Sequence, residues 1–162
     1  MKKLTLFLST ALLAVAIGGP VRTQEPAPDK IVAVAEVVAY NLDPTSLVNL
    51  TSTYNNDVVL VRVNRSLSGD VKVKYLIVRY EHWTDESPLP REFCEPKSQW
   101  KLELRRDSGC DSSMTELLSK ERNPGLVLIP GPSLNEAREH QTEVLPCYVL
   151  RPKGLTPYRE TH

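Results

Sequence analysis

The stretch VLVRVNRSLSGDVKVKYLIVRY, residues 59–80, constrains the fold more than any other part of the sequence. Two runs rich in valine and other apolar residues flank a polar segment that contains Gly69 and Asp70. β-Branched residues fit the pleated surface of a strand, whereas glycine and aspartate favour turns. The seven-residue connection from Asn64 to Asp70 exceeds a minimal turn. The pattern therefore predicts a β-hairpin with a bulge or a wide loop.

The hydrophobic pattern of the second hairpin strand predicts which of its side chains face the core. Alternation along VKVKYLIV places Val71, Val73, Tyr75 and Ile77 on one face, and the lysines between the valines on the other. Beyond Tyr75 the second face also becomes apolar. We therefore expect a strand that begins half-exposed and ends more deeply covered.

Other runs extend this β pattern along the chain. Residues 31–40, IVAVAEVVAY, are apolar on both faces except at Glu36, which suits a central strand, although the alanines leave a helix open. Residues 100–106, WKLELRR, alternate cleanly and place the Trp and both Leu inward. GLVLIP and LPCYVLRP are shorter runs bounded by prolines. Ser113 followed by Glu116 fits a capping box and predicts one short helix.

Five or six strands with one short helix fit two all-β architectures. A small OB-like Greek-key barrel is favoured, because three strands in meander order come first and a longer polar excursion separates them from two closing strands. The alternative is an immunoglobulin-like β-sandwich, which usually needs about seven strands.

The segment VNRSLSGDVKVKYLIV resembles small secreted bacterial proteins with an OB or netrin-like barrel. In these proteins a strand leads through a short L-x-G turn into a valine-rich strand. The resemblance covers under half of the chain and implies a small β-barrel. Netrin-like protease inhibitors place a cysteine at the mature N-terminus, whose amino group contacts the catalytic metal of the protease. This chain has no cysteine before Cys94, so the resemblance does not extend to that inhibitory mechanism.

The N-terminus has the features of a secretory signal peptide. MKKLTLFLSTALLAVAIGG has two lysines, an uncharged run and an A-x-A end at Ala16, and Gly18 ends the run before the length of about 20 apolar residues that a membrane span needs. We therefore expect a secreted or periplasmic bacterial protein without a membrane span after cleavage.

These observations divide the chain into four segments. Residues 1–19 are predicted to be the signal peptide and residues 20–30 an extended leader that packs little. Residues 31–152 are predicted to form one β-barrel domain, since their length suits a single core. Residues 153–162 are rich in polar residues, and we expect them to form a C-terminal tail that frays.

Charge gives no indication of a strongly charged partner. The chain has 20 basic and 20 acidic side chains. A nucleic-acid-binding protein usually carries a basic patch that neutralises phosphates. VKVKYLIVRY contains Lys72, Lys74 and Arg79, but alternating lysines on a strand are more typical of a solvated face. We therefore expect no nucleic-acid partner.

Three cysteines permit at most one internal disulfide. Cys94 and Cys110 flank a predicted strand whose ends lie about 20 Å apart, whereas a disulfide needs Cα atoms about 5 to 6 Å apart. A bridge between Cys110 and Cys147 is easier to form, because one cysteine follows a strand and the other lies on a strand. Cys94 is then either a free, buried thiol or the site of an intermolecular bridge.

The sequence offers no convincing metal site or catalytic group. Glu81, His82, Asp85 and Glu86 lie close together in EHWTDE and are weak metal-ligand candidates, but four polar residues after a strand are more typical of a solvated loop. There is no G-x-S-x-G motif, and Cys94 has no histidine partner that the sequence identifies. We assign no catalytic residue, metal or cofactor, and we favour a non-enzymatic protein.

Aromatic residues near the end of the third strand are the candidate ligand site. Tyr75, Tyr80 and Trp83 lie close to Arg79 in the sequence. Aromatics beside an arginine at the mouth of a small barrel can stack on a sugar or planar ligand, or anchor a protein interface. The alternative is that Tyr75 and Trp83 close the end of the core.

The function predicted from these features is an exported, non-enzymatic binding or interaction module for an unknown protein or small-molecule ligand. Two alternatives remain open. The first is a secreted hydrolase or enzyme inhibitor whose site assembles from distant residues, and the second is a structural component of an envelope assembly.

Overall fold

The computed structural model describes residues 27–42, 54–83 and 89–159. The predicted signal peptide and most of the predicted leader lie outside these residues. The described elements, in chain order, are β1 (Lys30–Asn41), β2 (Tyr54–Ser68), β3 (Tyr75–Trp83), a 3₁₀ helix (Arg91–Cys94), β4 (Trp100–Arg106), a 3₁₀ turn (Ser108–Cys110), β5 (Ser112–Ser113), α1 (Met114–Leu118), β6 (Val127–Leu128), α2 (Pro132–Glu139), β7 (Val144–Leu145) and β8 (Cys147–Pro157).

The five longer strands close into a β-barrel. Their order around the barrel is β1, β2, β3, β8, β4, and β4 pairs again with β1. The β3–β8 pairing is parallel, and the other four pairings are antiparallel. This closed ring confirms the prediction of a small, OB-like all-β barrel. It is not the two-layered sandwich that was the alternative.

The predicted hairpin is present, but its connection is displaced along the chain. β2 continues to Ser68, because its last residues pair with β1 instead of β3. Three register shifts between β1 and β2 allow β2 to bend from one neighbour to the other. Gly69 follows at φ +79°, and a Cβ there would lie 2.8 Å from the Lys30 carbonyl oxygen. Glycine is therefore required at this turn.

The strand after this turn begins at Tyr75, four residues later than the valine pattern predicts. Val71 and Val73 pack against the barrel interior, whereas Tyr75 and Ile77 belong to the outer cluster. The prediction that these four side chains share one face is therefore wrong. The pattern does not continue because Asp70–Val73 lie outside the β2–β3 ladder.

Buried side chains form two separate cores. The barrel interior is filled from all five strands, and a 3₁₀ helix closes one end by placing Phe93 edge-on against Trp100, with ring centroids 5.6 Å apart. A second core lies outside the barrel, where the segment 107–146 covers part of the sheet. The barrel members of this second core include Val38, Leu60, Tyr75 and Ile77, and we call their surface the covered face.

The covering segment contains the predicted helix and an additional one. The Ser113 hydroxyl accepts a hydrogen bond from the Glu116 amide at 3.2 Å, which confirms the predicted cap of α1. The longer helix α2 was not predicted; it begins at Pro132, directly after Gly131. Met114 of α1 and Leu134 and Ala137 of α2 are buried against the covered face.

Both predicted terminal segments contribute to the fold. β8 continues to Pro157, so the predicted fraying tail is wrong for residues 153–157. At the other end, the Asp29 carbonyl accepts a hydrogen bond from the Arg106 amide at 2.7 Å, and the Pro28 carbonyl accepts one from the Tyr148 hydroxyl at 3.2 Å. Within the described residues, no helix has both the length and the apolar character required to cross a bilayer.

Candidate functional site

The four side chains predicted to bind a ligand do not form one patch. Tyr80 points into the barrel interior and is 1% exposed. Tyr75 is equally buried but lies on the covered face, where its hydroxyl donates to the Ser133 carbonyl at 3.1 Å. Trp83 lies at the end of β3 and is 50% exposed. Tyr75 and Tyr80 therefore lie on opposite faces of β3. Each belongs to a core, and the two do not form one ligand-binding patch.

The Arg79 side chain lies on the outside of the barrel and forms ion pairs within the chain. Its guanidinium contacts the Glu81 carboxylate at 2.6 Å and the Asp107 carboxylate at 2.7 Å. The second contact joins β3 to the start of the covering segment. Arg79 therefore fixes the position of that segment, and its charge is compensated by two carboxylates within the chain.

The weak metal candidates are not assembled into a site in the described part of the chain. His82 is buried, its Nε2 lies 3.7 Å from Asp57 Oδ2, and its Nδ1 lies 3.1 Å from the Trp83 carbonyl oxygen. Asp85 and Glu86 lie outside the described residues. Among the residues described, no group of three or more potential ligands converges.

The cysteine pairing follows the prediction. Cys110 and Cys147 are bonded, with Cα atoms 5.4 Å apart. Such a bridge fits a protein that matures in an oxidising compartment. Cys94 is free and packs against the interior core. Burial, with a contribution from the charge of Asp57, raises the pKa of the Cys94 thiol to about 11, so it remains protonated at neutral pH and is a poor nucleophile.

The surface that OB-type barrels commonly use for ligands is occupied by this chain itself. In that architecture the outer face of strands 2 and 3 and the neighbouring loops often bind oligonucleotides or oligosaccharides. Here the corresponding surface is the covered face, and Leu60, Tyr75 and Ile77 on it are each at most 3% exposed. A ligand site must therefore be sought elsewhere.

A cleft of about 370 Å³ lies at the mouth of the barrel beside the disulfide. This volume falls within the range of ligand-binding pockets. The floor is formed by Tyr148 and Arg106, and the walls come from three separate parts of the chain. The residues that line it are Ala27, Pro28, Asp70, Val71, Lys72, Val73, Arg106, Asp111, Val144, Pro146 and Tyr148.

A bidentate ion pair makes the floor of the cleft rigid. Arg106 donates to both carboxylate oxygens of Asp111 and to the Cys147 carbonyl at 2.9 Å, while Asp111 accepts from the Cys147 amide at 2.8 Å. The guanidinium lies 5.7 Å from the centre of the Tyr148 ring, a cation–π contact. Burial raises the pKa of the Tyr148 hydroxyl, so the floor presents a neutral ring and a compensated charge.

One wall of the cleft is a segment that lies outside the barrel ladders. The β2–β3 pairing ends at Arg62 and Tyr75, followed by a single bond from the Val63 amide to the Lys74 carbonyl. Asp70–Val73 pair with no strand in the described sheet. Val144, which is 59% exposed, also lines the cleft. The cleft therefore combines apolar side chains with the backbone of Asp70–Val73, which makes no backbone hydrogen bond to another described residue.

The sequence does not predict this cleft, because the parts of the chain that line it are separated by more than 30 positions from one another. The alternation of Val71 and Val73 predicts ordinary strand positions, and nothing in the sequence pairs Arg106 with Asp111. Only the Cys110–Cys147 prediction pointed to this region, since the disulfide joins the strand of Tyr148 to the start of the covering segment.

Comparisons with protein-family models, with curated proteins and with solved structures found no match for this chain.

Proposed function

We propose that the chain is an exported, non-enzymatic binding module, secreted or periplasmic in a bacterium, which binds an extended apolar peptide segment in the mouth cleft. The observation that carries the proposal is the position of Asp70–Val73 along a cleft of about 370 Å³ without a strand partner in the described sheet. Such a segment can accept an added strand, in which main-chain hydrogen bonds give affinity and apolar pockets give specificity.

The residues that line the cleft suit the binding of a ligand better than the catalysis of a reaction. Its walls present valines, prolines and an alanine, which suit apolar side chains of a peptide. The charges of Arg106 and Asp111 are used in holding the strand of Cys147. No histidine, serine or cysteine thiol is among the described lining residues, so the nucleophiles of common hydrolases do not face a ligand there. A hydrolase or an envelope structural component remains the alternative.

Two exposed valines of the covering segment provide a matched test. Val144 lines the cleft and is 59% exposed, whereas Val127 is 43% exposed and lies outside the cleft. Peptides are selected from a synthetic library of short alternating apolar sequences, and their affinity is then measured for the native chain, Val144→Asp and Val127→Asp. We expect Val144→Asp to weaken binding by at least about tenfold, and Val127→Asp to change it by less than about twofold.

Hydrogen exchange supplies an independent readout. Strand addition should slow the exchange of the amides in Asp70–Val73 when a selected peptide is bound. The proposal fails if the library yields no peptide, if both valine variants weaken binding equally, or if these amides are unchanged in the complex. Mass spectrometry of the peptide after incubation separates binding from hydrolysis, since cleavage would support the enzyme alternative.

A further inference from the structure

Five basic side chains that are distant in sequence lie on a part of the outer barrel surface made by β1, β2, β4 and β8. Lys30 on β1 is directly opposite Arg105 on β4, and Arg65 on β2 is paired with Val34, two outward positions further along β1. Arg151 and Lys153 follow on β8, beside Arg105. We call the surface of these five residues the basic face. All five are exposed.

None of these five cations makes a salt bridge or a side-chain hydrogen bond to the residues that the structure describes. The acid on the same face, Glu103, is in contact with Lys101 at 2.9 Å. Adjacent strands lie about 4.8 Å apart, so Lys30 and Arg105 repel each other across the ladder. The fold therefore maintains an uncompensated positive surface on a chain with zero net charge.

The acids of the covering segment do not supply the missing partners. Asp107, Asp111, Glu116 and Glu136 of this segment are already paired with Arg79, Arg106, Arg122 and Lys74, respectively. Within this segment only Glu121 and Glu139 make no ion pair with described residues, so a second copy would offer two unpaired carboxylates from it to five cations. An anion from outside the chain matches the face better.

The shape of the basic face is a groove. Between Leu102 and Leu104, β4 has one residue where β8 has four, so Arg151 to Gly154 rise from the sheet as a bulge. Gly154 packs so closely that a Cβ there would lie 2.8 Å from the Glu103 carbonyl oxygen. The groove beside the bulge has a volume of about 420 Å³ and is lined by Lys30, Ile31, Val32, Glu103, Leu104, Arg105, Val149, Arg151, Lys153 and Gly154.

We propose that the basic face binds a linear anionic polysaccharide along this groove. The cations extend across four neighbouring strands, a span of about 15 Å, which a chain of repeated charges can follow and a single small anion cannot. None of the described groove-lining residues is aromatic, so the stacking that single-stranded nucleic acids use is not provided. A raised bulge also fits a chain lying beside it better than a flat bilayer surface.

This site is separate from the mouth cleft, and its test does not depend on the peptide proposal. Dextran sulfate is the probe, with uncharged dextran as its neutral counterpart. The face variant is Lys30→Gln/Arg105→Gln/Arg151→Gln. The control variant is Arg91→Gln/Lys120→Gln/Arg138→Gln, which removes the same charge from three exposed cations elsewhere that also make no ion pair with described residues. Circular dichroism and thermal unfolding verify that both variants fold.

We expect the native chain to bind dextran sulfate but not dextran, with an affinity that falls as salt is added. The face variant should bind at least about tenfold more weakly, and the control variant within about twofold of the native chain. Poly-dT and vesicles containing anionic phospholipid are compared at the same salt concentration. Equal losses in both variants, no binding of dextran sulfate by the native chain, or tighter binding of poly-dT or vesicles would each overturn the proposal.

Discussion

β1, β2 and β8 contribute to two outer faces of the barrel, and the side chains on each face depend on whether another segment of the chain covers it. On the covered face, Ile77 and Leu60 are buried under α1 and α2. On the basic face, Lys30 and Arg105 occupy outward positions and face solvent. A strand under a second layer is apolar on both sides, whereas a strand facing solvent alternates. The hydrophobic pattern of each strand therefore indicates whether another segment of the chain covers its outer face.

The largest expected effect comes from placing a charge on each face. Ile77 is 2% exposed under the covering segment, and Val32 is a half-buried outward residue of β1 beside Glu103. Ile77→Lys should lower the free energy of unfolding by about 4 kcal/mol or more, because it buries an ammonium group without a designed partner. Val32→Lys should lower it by less than about 1 kcal/mol. Urea denaturation measures both.

Equal destabilisation by these two lysines would contradict the distinction between the faces. A folded Ile77→Lys protein of native stability would mean that the covering segment separates readily from the barrel. Hydrogen exchange then shows whether the amides of α1 and α2 have lost protection while those of β4 retain it.

The next largest effect is expected from the disulfide that anchors the covering segment. Cys110 and Cys147 are 37 positions apart, so the loss of a bridge closing a loop of that size should destabilise the protein by about 3 to 4 kcal/mol. In Cys110→Ala/Cys147→Ala we expect the amides of the covering segment to exchange faster before those of the barrel. Chemical denaturation and site-resolved hydrogen exchange are the measurements.

Cys94→Ala is the matched control for this bridge. It also removes a sulfur atom, but Cys94 makes no bridge within the chain and is only partly buried. We expect a loss below about 1.5 kcal/mol and no selective exposure of the covering segment. A larger loss from Cys94→Ala than from the double variant would show that the bridge does not anchor the segment.

Features of this structure that follow from the local sequence pattern can be predicted from the sequence. Features that depend on pairing between distant strands cannot. The alternation along β4 correctly places Trp100, Leu102 and Leu104 inward, because those alternate positions face one core. The predicted aromatic patch is not assembled, because Tyr75 and Tyr80 are an odd number of positions apart and so point to opposite faces. Periodicity alone does not show which of two covered faces is the barrel interior.

The basic face is a feature that the sequence pattern does not predict. The charges along the chain give no indication of this surface, because no run in the sequence contains its residues together. Lys30, Arg65, Arg105 and Arg151 become neighbours only through the strand order of the closed barrel. The predicted absence of a nucleic-acid partner remains a prediction, which the poly-dT measurement tests.

The smallest expected effect concerns the ion pair at the floor of the mouth cleft. Asp111→Asn keeps the shape of the side chain but removes the charge that Arg106 and the Cys147 amide contact. We expect a loss of about 2 kcal/mol at pH 7. Glu103→Gln on the basic face removes an equal charge from an exposed pair, and it should change the stability by less than about 1 kcal/mol.

The pH dependence of this effect has a definite sign. Burial raises the pKa of Asp111, but hydrogen bonds from the Arg106 guanidinium and the Cys147 amide outweigh burial and place it below its ordinary value of 3.8. A depressed pKa stabilises the folded chain above the ordinary value, and that stabilisation is lost as the pH falls through the folded-state value. The difference between native and Asp111→Asn proteins should therefore be constant from pH 7 to about pH 5 and shrink below about pH 4. A difference that grows on acidification would mean that the carboxylate is destabilising where it lies, and that the floor of the cleft is held by the disulfide alone.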